Sequence, residues 1–332
     1  MQEETLDKAI PSQAVRRRAI IIANPASGGY LFHASAINEA VAYLQESGWD
    51  ITLRLTGREG DAQCLAREAV EEHFDVVIAA GGDGTINEII QALAGSETAL
   101  GVLPIGTVNV WAREVGIPLR GRDACDVLLH GQTRRIDLGQ VNGRYFLLMA
   151  GIGLDGEVTH AVERKPVKRL GALGYLLIGT ILGLGYPAFR VFMQIDGRVV
   201  KANAIQVVIG NTQLYGGTIK YTWQAKGDDG LLDICIVRRH SAFGRIAIAL
   251  DLLLHRKDRN GWTRYERCRV MKFRTKRTVA MQLDGDPAGH ITPGFPPTTF
   301  TVAPLALKVI IPNMIAEDLF SRQEDNNGRL CL

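Results

Sequence analysis

The chain has 332 residues, with 38 lysines and arginines against 35 aspartates and glutamates, a formal net charge of +3 and an apolar share of 46%. That length predicts two domains. The apolar share excludes wholesale disorder, and so small a net charge leaves no footprint of a nucleic-acid partner. Five cysteines stand apart with no C-x-x-C pair, which argues against a disulfide framework or a zinc ribbon and fits free thiols in a reducing cytoplasm.

The N-terminal stretch lacks an apolar core segment, so no signal peptide is expected. Strand and helix patterns then alternate. Ala19 to Ala23 reads as a buried strand and Ala34 to Ser47 as a helix. Ile51 to Leu55 is a strand, and Asp61 to His73 a helix with Asp61 as its cap. Val76 to Ala80 is a strand, Thr85 to Ala94 a helix, Leu100 to Leu103 a strand and Val108 to Val115 a helix. Apolar strands alternating with helices predict a parallel sheet covered on both faces. After about residue 139 the pattern turns mainly to strands, at 144–150, 190–195, 204–210, 232–237, 270–275 and 279–283, with helices near 155–183 and 241–255. Two short strands within 298–311 can return to the first domain. The expected division is an α/β domain over 1–138, completed by 300–332, and a β-rich domain over 139–299.

Two segments bear on membranes. Leu170 to Phe189 holds twenty residues without a charge, behind Lys165, Lys168 and Arg169. Its length would span a bilayer, but five glycines and a proline favour a buried or interfacial helix over a transmembrane span. From Arg238 to Arg277 there are thirteen basic residues against three acidic ones. Such a block can face anionic headgroups; Trp262 and Tyr265 are too few for a nucleic-acid stacking platform.

The chemistry concentrates at strand ends. Gly81-Gly82-Asp83-Gly84-Thr85-Ile86-Asn87-Glu88 follows one strand and opens a helix, where glycines let the backbone approach a phosphate and the helix N-terminus offers free N–H groups. Asn24-Pro25-Ala26-Ser27-Gly28-Gly29, Thr56, and the turn that carries Thr107 and Asn109 follow the other three strands. Four strand ends on one rim predict a single nucleotide site, and the absence of G-x-x-x-x-G-K-[ST] excludes a P-loop. Gly151-Ile152-Gly153-Leu154-Asp155-Gly156 matches G-x-G-x-x-G, but no acidic residue follows about 20 positions on. It reads as a tight turn near the domain interface. Asp228-Asp229-Gly230-Leu231-Leu232-Asp233 is either a hairpin with solvated acids or a carboxylate pair for a hard cation. Leu283-Asp284-Gly285-Asp286 is either an Asp-Gly turn or the source of a general base.

NPASGG, GGDGTINEII, GTVNVWAR, GIGLDGEV, GDDGLLD and QLDGDP occur in this order over residues 18–312. In this the chain resembles the diacylglycerol kinase catalytic-domain family, which includes sphingosine kinases and the YegS-like and BmrU-like bacterial lipid kinases. GGDGT alone is shared with NAD kinases and phosphofructokinase relatives. The resemblance implies an α/β ATP domain beside a β-rich domain that admits a lipid, and phosphotransfer from ATP to a lipid hydroxyl. Asn24, Thr56, Gly82 to Glu88 and Thr107 would contact the nucleotide. A structural Mg²⁺ would sit on Asp228, the Leu231 carbonyl and Asp233, and the proton acceptor would lie at Asp284 or Asp286. The chain departs from the family in three places. Asp286 replaces a usual Glu, Val110-Trp111 replaces a usual Asp-Phe, and Lys220-Tyr221 stands where a proline-containing stretch is usual. The resemblance implies a cytoplasmic enzyme working at the membrane surface, and a homodimer is compatible with it. A soluble kinase of the NAD kinase type and a non-catalytic nucleotide-binding regulator are the alternatives.

Overall fold

The computed structural model describes residues 16–25, 30–163, 183, 185–217, 219–239, 263–315 and 318–321. The first part alternates as the sequence predicts: β1 (Arg18–Ala23), α1 (Tyr30–Glu46), β2 (Asp50–Leu55), α2 (Asp61–Glu71), β3 (Val76–Gly81), α3 (Asp83–Leu93), β4 (Ala99–Pro104), α4 (Val110–Val115) and α5 (Gly121–His130). The β-rich part begins with β5 (Gln132–Val141), β6 (Arg144–Phe146), β7 (Met149–Gly153), α6 (Leu154–Glu163), β8 (Phe189–Ile195) and β9 (Arg198–Gly210). It continues with β10 (Leu214–Tyr215), β11 (Ile219–Lys220), β12 (Leu232–Arg238), β13 (Thr263–Cys268), β14 (Val270–Thr275), β15 (Val279–Leu283), β16 (Asp286–Ile291) and β17 (Thr298–Ile311).

Strands β4, β3, β1 and β2 lie side by side in that order and run parallel. β3 and β4 are buried at every residue and β1 at all but its first. This is why they read as unbroken apolar runs: helices cover both faces, so no position alternates out to water. α3 turns Ile86, Ile89, Ile90 and Leu93 into the core, and α2 buries only small residues, Ala62, Ala66 and Ala69, which brings its backbone close to the sheet.

One sheet runs through both halves, ordered β16-β15-β7-β9-β8-β14-β17-β4-β3-β1-β2, with β12 also on β9 and β5 also on β17. β17 is the join. It pairs antiparallel with β14 and β5 and parallel with β4. The sequence predicted two short strands here, but the structure holds one 14-residue strand with a register shift between Ala303 and Leu307. Leu305 takes a left-handed φ of 48°, held by its N–H donating to Asp137 at 2.7 Å.

Other expectations are corrected in detail. Asp61 is the first residue of α2 rather than its cap, and its carboxylate turns back to the N–H groups of Gly57 and Arg58. The predicted strand at 144–150 is two strands, β6 and β7. The G-x-G-x-x-G stretch is no tight turn: Gly151 and Gly153 close β7, and Gly156 lies inside α6. Helix α5 and strand β5 had no counterpart in the sequence reading. Ser27, fourteen of the twenty residues of the uncharged segment 170–189, the expected helix at 241–255 and positions 240–262 of the basic block lie outside the described residues. Among the described residues no helix is long and apolar enough to cross a membrane.

Candidate active site at the strand ends

The parallel register brings the strand ends to one rim. Ala23 lies beside Leu55 and Ala80, and Gly81 beside Pro104. Asn24, buried Thr56, Gly81, Gly82 and exposed Thr107 therefore emerge together, as predicted. Two loops meet there backbone to backbone. A Cβ on Gly106 would fall 2.4 Å from Gly82 Cα, and a Cβ on Gly81 would fall 2.3 Å from Thr85 Oγ1. No side chain larger than hydrogen fits either position without moving the loop.

The polar side chains of this segment are spent on building the site. Asp83 accepts from the N–H groups of Val110 (2.9 Å) and Trp111 (3.1 Å), capping α4; burial pushes its carboxyl above the usual range. Glu88 accepts from Gly60 N–H and Ala62 N–H at 3.1 Å each, serving the start of α2. Asn109, at a left-handed φ of 54°, donates to the carbonyls of Pro104 and Gly106 in its own loop. Asn87 donates to Asp284 Oδ2 and accepts from Arg144 Nη2, both at 2.8 Å. The side chains of Asp83, Asn87, Glu88 and Asn109 thus hold neighbouring loops and helix starts together. The loop backbone lies beside the side chains of Asn24, Thr56, Thr85 and Thr107. Helix α3 begins behind Gly82, whose φ of −97° and ψ of −171° are extended and which, as a glycine, brings no side-chain cap of its own. Its first N–H groups and partial positive charge face the rim.

The Asp284-Gly285 turn sits opposite. Leu283 pairs with Asp286, leaving a two-residue loop with φ of 50° at Asp284 and 92° at Gly285. Positive φ at both central residues is what a type I′ hairpin needs, and Asp-Gly is a preferred pair for it. The two carboxylates of the turn part ways. Asp284 is buried and accepts four hydrogen bonds: from Asn87 Nδ2 (2.8 Å), Leu147 N–H (2.7 Å), Leu148 N–H (2.8 Å) and Met149 N–H (2.9 Å). Burial pushes its carboxyl up while these donors pull it down. Asp286 lies against the phosphate loop: a Cβ built on Gly84 would stand 3.5 Å from its Oδ2 and 3.9 Å from its Oδ1.

The expected cation ligands behave differently. Asp228 accepts from Ser321 N–H at 2.6 Å and faces Arg134 Nε at 3.2 Å. Asp233, fully buried, faces Arg267 Nε at 3.3 Å, and Arg267 also holds Asp229. Burial pushes Asp233 up to about 6. Among the described residues no three His, Cys, Asp or Glu side chains are grouped to hold a metal ion. Arg134 and Ser321 N–H meet Asp228, but both buried Asp233 oxygens lack a hydrogen-bond partner, so Asp228, Asp233 and the Leu231 carbonyl would hold a hard cation such as Mg²⁺.

Sequence reasoning missed Asp137, Arg144 and Gln282. Asp137 bridges Gly230 N–H (2.6 Å) and Leu305 N–H (2.7 Å). Asp137 and Gln282 each stand in a run of buried strand residues, which is the signal that could have exposed them.

The family model of the diacylglycerol kinase catalytic domain matches residues 18–141, and that of the YegS C-terminal NAD kinase beta sandwich-like domain matches residues 149–311. A diacylglycerol kinase of Bacillus subtilis (strain 168) is 32% identical over 306 residues, covering 91% of this chain and 99% of the relative. The chain belongs to the diacylglycerol kinase family. It is therefore a kinase with an alcohol acceptor, in an ATP-dependent family of lipid kinases. A diacylglycerol kinase of Staphylococcus aureus (strain JH9) is 30% identical over 308 residues, covering 92% of this chain and 95% of its own. The fold is shared with the crystal structure of a candidate diacylglycerol kinase from Bacillus anthracis str. Sterne. Its TM-score is 0.78 at 23% identity, and the match covers 92% of this chain and 99% of that one.

Proposed function

We propose that the protein transfers the γ-phosphate of MgATP to a hydroxyl of a diacylglycerol-like lipid, with Asp286 as the proton acceptor. The observation that carries this reading is the meeting of the α3 N-terminus with a carboxylate from the β-rich half at Gly84. Phosphoryl transfer needs the phosphates held, their charge offset and a base within reach of the attacking hydroxyl. The rim supplies backbone N–H groups and dipole for the first two, and Asp286 supplies the third. Asp284 is assigned to holding the loop: with both oxygens already accepting two hydrogen bonds each, it has no lone pair directed at a substrate proton. Asn24, Thr56, Gly82, Gly84, Thr85 and Thr107 are the assigned nucleotide contacts, and the Mg²⁺ of the reaction arrives with ATP as substrate. The names of the Bacillus subtilis and Staphylococcus aureus relatives support the acceptor class. The β-rich half is assigned to the lipid, and the enzyme to the membrane surface as a peripheral protein, which the basic residues between 238 and 277 support.

The test is transfer of label from γ-labelled ATP to diacylglycerol in mixed micelles, with Mg²⁺ and with chelator. A labelled, organic-extractable product that needs Mg²⁺ and disappears in Asp286→Asn is expected. Full turnover by Asp286→Asn refutes the base assignment; no lipid product from the wild type refutes the acceptor class.

A further inference from the structure

Resting on that kinase reading, we propose that Asp155 and Gln282 are positioning residues that aim Asp286 through the backbone of the turn before it. The glycines of the G-x-G-x-x-G stretch make the arrangement sterically possible. Gly156 lets α6 lie directly on β15, since a Cβ there would come within 2.5 Å of the Ala280 carbonyl. Gly151, register partner of Gln282, clears the space that Asp155 enters: a Cβ on Gly151 would fall 1.6 Å from Asp155 Oδ2 and 2.7 Å from Gln282 Nε2. Asp155, second residue of α6, is 3% exposed, and Gln282 is fully buried.

The hydrogen bonds converge on Asp155. The Tyr215 hydroxyl donates to Asp155 Oδ1. Gln282 Nε2 donates to Asp155 Oδ2 at 2.7 Å. Gly285 N–H donates to Gln282 Oε1 at 2.7 Å. A carboxylate is an acceptor only, so Asp155 dictates which end of the Gln282 amide faces it. That choice leaves the amide oxygen for Gly285, the residue directly before Asp286. An amide at position 155 offers one acceptor in place of two: with its Oδ1 toward Gln282, its Nδ2 faces the Tyr215 hydroxyl, which must then accept rather than donate. If the new Nδ2 faces Gln282, the glutamine must turn its oxygen toward position 155 and its NH₂ toward the Gly285 N–H. A glutamate at position 282 resolves the conflict, because one oxygen accepts from the new amide at position 155 and the other from Gly285, and the net charge of the pair is unchanged.

The experiment compares wild type, Asp155→Asn and the double variant Asp155→Asn/Gln282→Glu, reading kcat, KM for ATP and hydrogen exchange of the Gly285 amide. Misplacing a catalytic group by about 1 Å costs about a hundredfold. That loss is expected in kcat of Asp155→Asn, with KM for ATP within about twofold. Faster exchange at Gly285 should accompany it, and the double variant should recover most of both. The proposal is overturned by a wild-type kcat in Asp155→Asn, or by a double variant no better than the single, whether inactive or unfolded. If the single variant does not fold, the double alone decides. A wild type without lipid phosphorylation removes the kinase reading and leaves the positioning to be judged on Gly285 exchange, where no change in Asp155→Asn refutes it.

Discussion

Replacing Asp284 with asparagine should unfold the protein more readily, whereas the same change at Asp286 should stop turnover. Each Asp284 oxygen accepts two donors: Asn87 Nδ2 and Leu147 N–H on one side, Leu148 N–H and Met149 N–H on the other. An asparagine has one oxygen, so two of the four donors must face an NH₂. Flipping Asn87 would only pass the conflict to Arg144, which donates to its oxygen. A buried donor without an acceptor costs about 1–3 kcal/mol, which gives a destabilisation of about 2–6 kcal/mol. Asp286→Asn leaves that buried set of four donors in place, so the effect expected of it is on turnover, which should fall by about 10²–10⁴. Urea unfolding of both variants, alongside labelled-ATP turnover at a temperature where both are folded, separates the two roles. A stable Asp284→Asn without activity, paired with an active Asp286→Asn, would refute the division.

Gly106→Ala, with its Cβ 2.4 Å from Gly82 Cα, should lose about 1–3 kcal/mol of stability from overpacking and weaken ATP binding in calorimetry. An unchanged affinity would show that the two loops do not shape the nucleotide site. Glu114 accepts from Gln213 N–H (2.8 Å) and Leu214 N–H (2.7 Å), but burial dominates and pushes it up to about 7 from 4.5. The folded state therefore holds the extra proton between those values. The stabilisation is complete below about pH 4.5 and is lost as pH rises through about 7, amounting to about 3 kcal/mol. Melting curves of wild type and Glu114→Gln should diverge across that window; parallel curves would refute the burial argument. Chelator should abolish turnover by removing MgATP, and the melting temperature of the ligand-free protein in chelator tests the Asp228–Asp233 turn. A large drop would assign a structural Mg²⁺ there, and a shift within about 1 °C would leave the turn to its salt bridges with Arg134 and Arg267.

The fold was legible where burial is complete. The runs at 19–23 and 76–80 can only be interior strands, and a glycine-rich turn directly after one of them announces a ligand crevice. What escaped the sequence is partnership over distance. Asn87 and Asp284 are separated by 197 positions, so nothing local distinguished a side chain that binds nucleotide from one that binds the facing hairpin. Asp83 and Glu88 read as phosphate-loop acids because their targets, the starts of α4 and α2, lie 27 and 28 positions away along the chain. Asp284 and Asp286 differ only in their place in the turn: the first folds inward at a positive φ, and the second follows the hairpin out to Gly84. The segment 298–311 read as two short strands. Asp137 in a neighbouring strand holds the kink at Leu305, so one strand continues through it.

The continuity of β17 makes the two halves one thermodynamic body. Its first residues complete the β-rich half through β14, and its last complete the nucleotide half through β4, so neither half owns a closed sheet until the last strand of the sheet is laid down. A nascent chain would carry open strand borders on both halves until residues 298–311 are made, an invitation to pair with other chains. Once they are in place, loosening either half strips a neighbour from the other. Heat or denaturant should therefore melt the protein in a single step, with no stage at which one half survives alone.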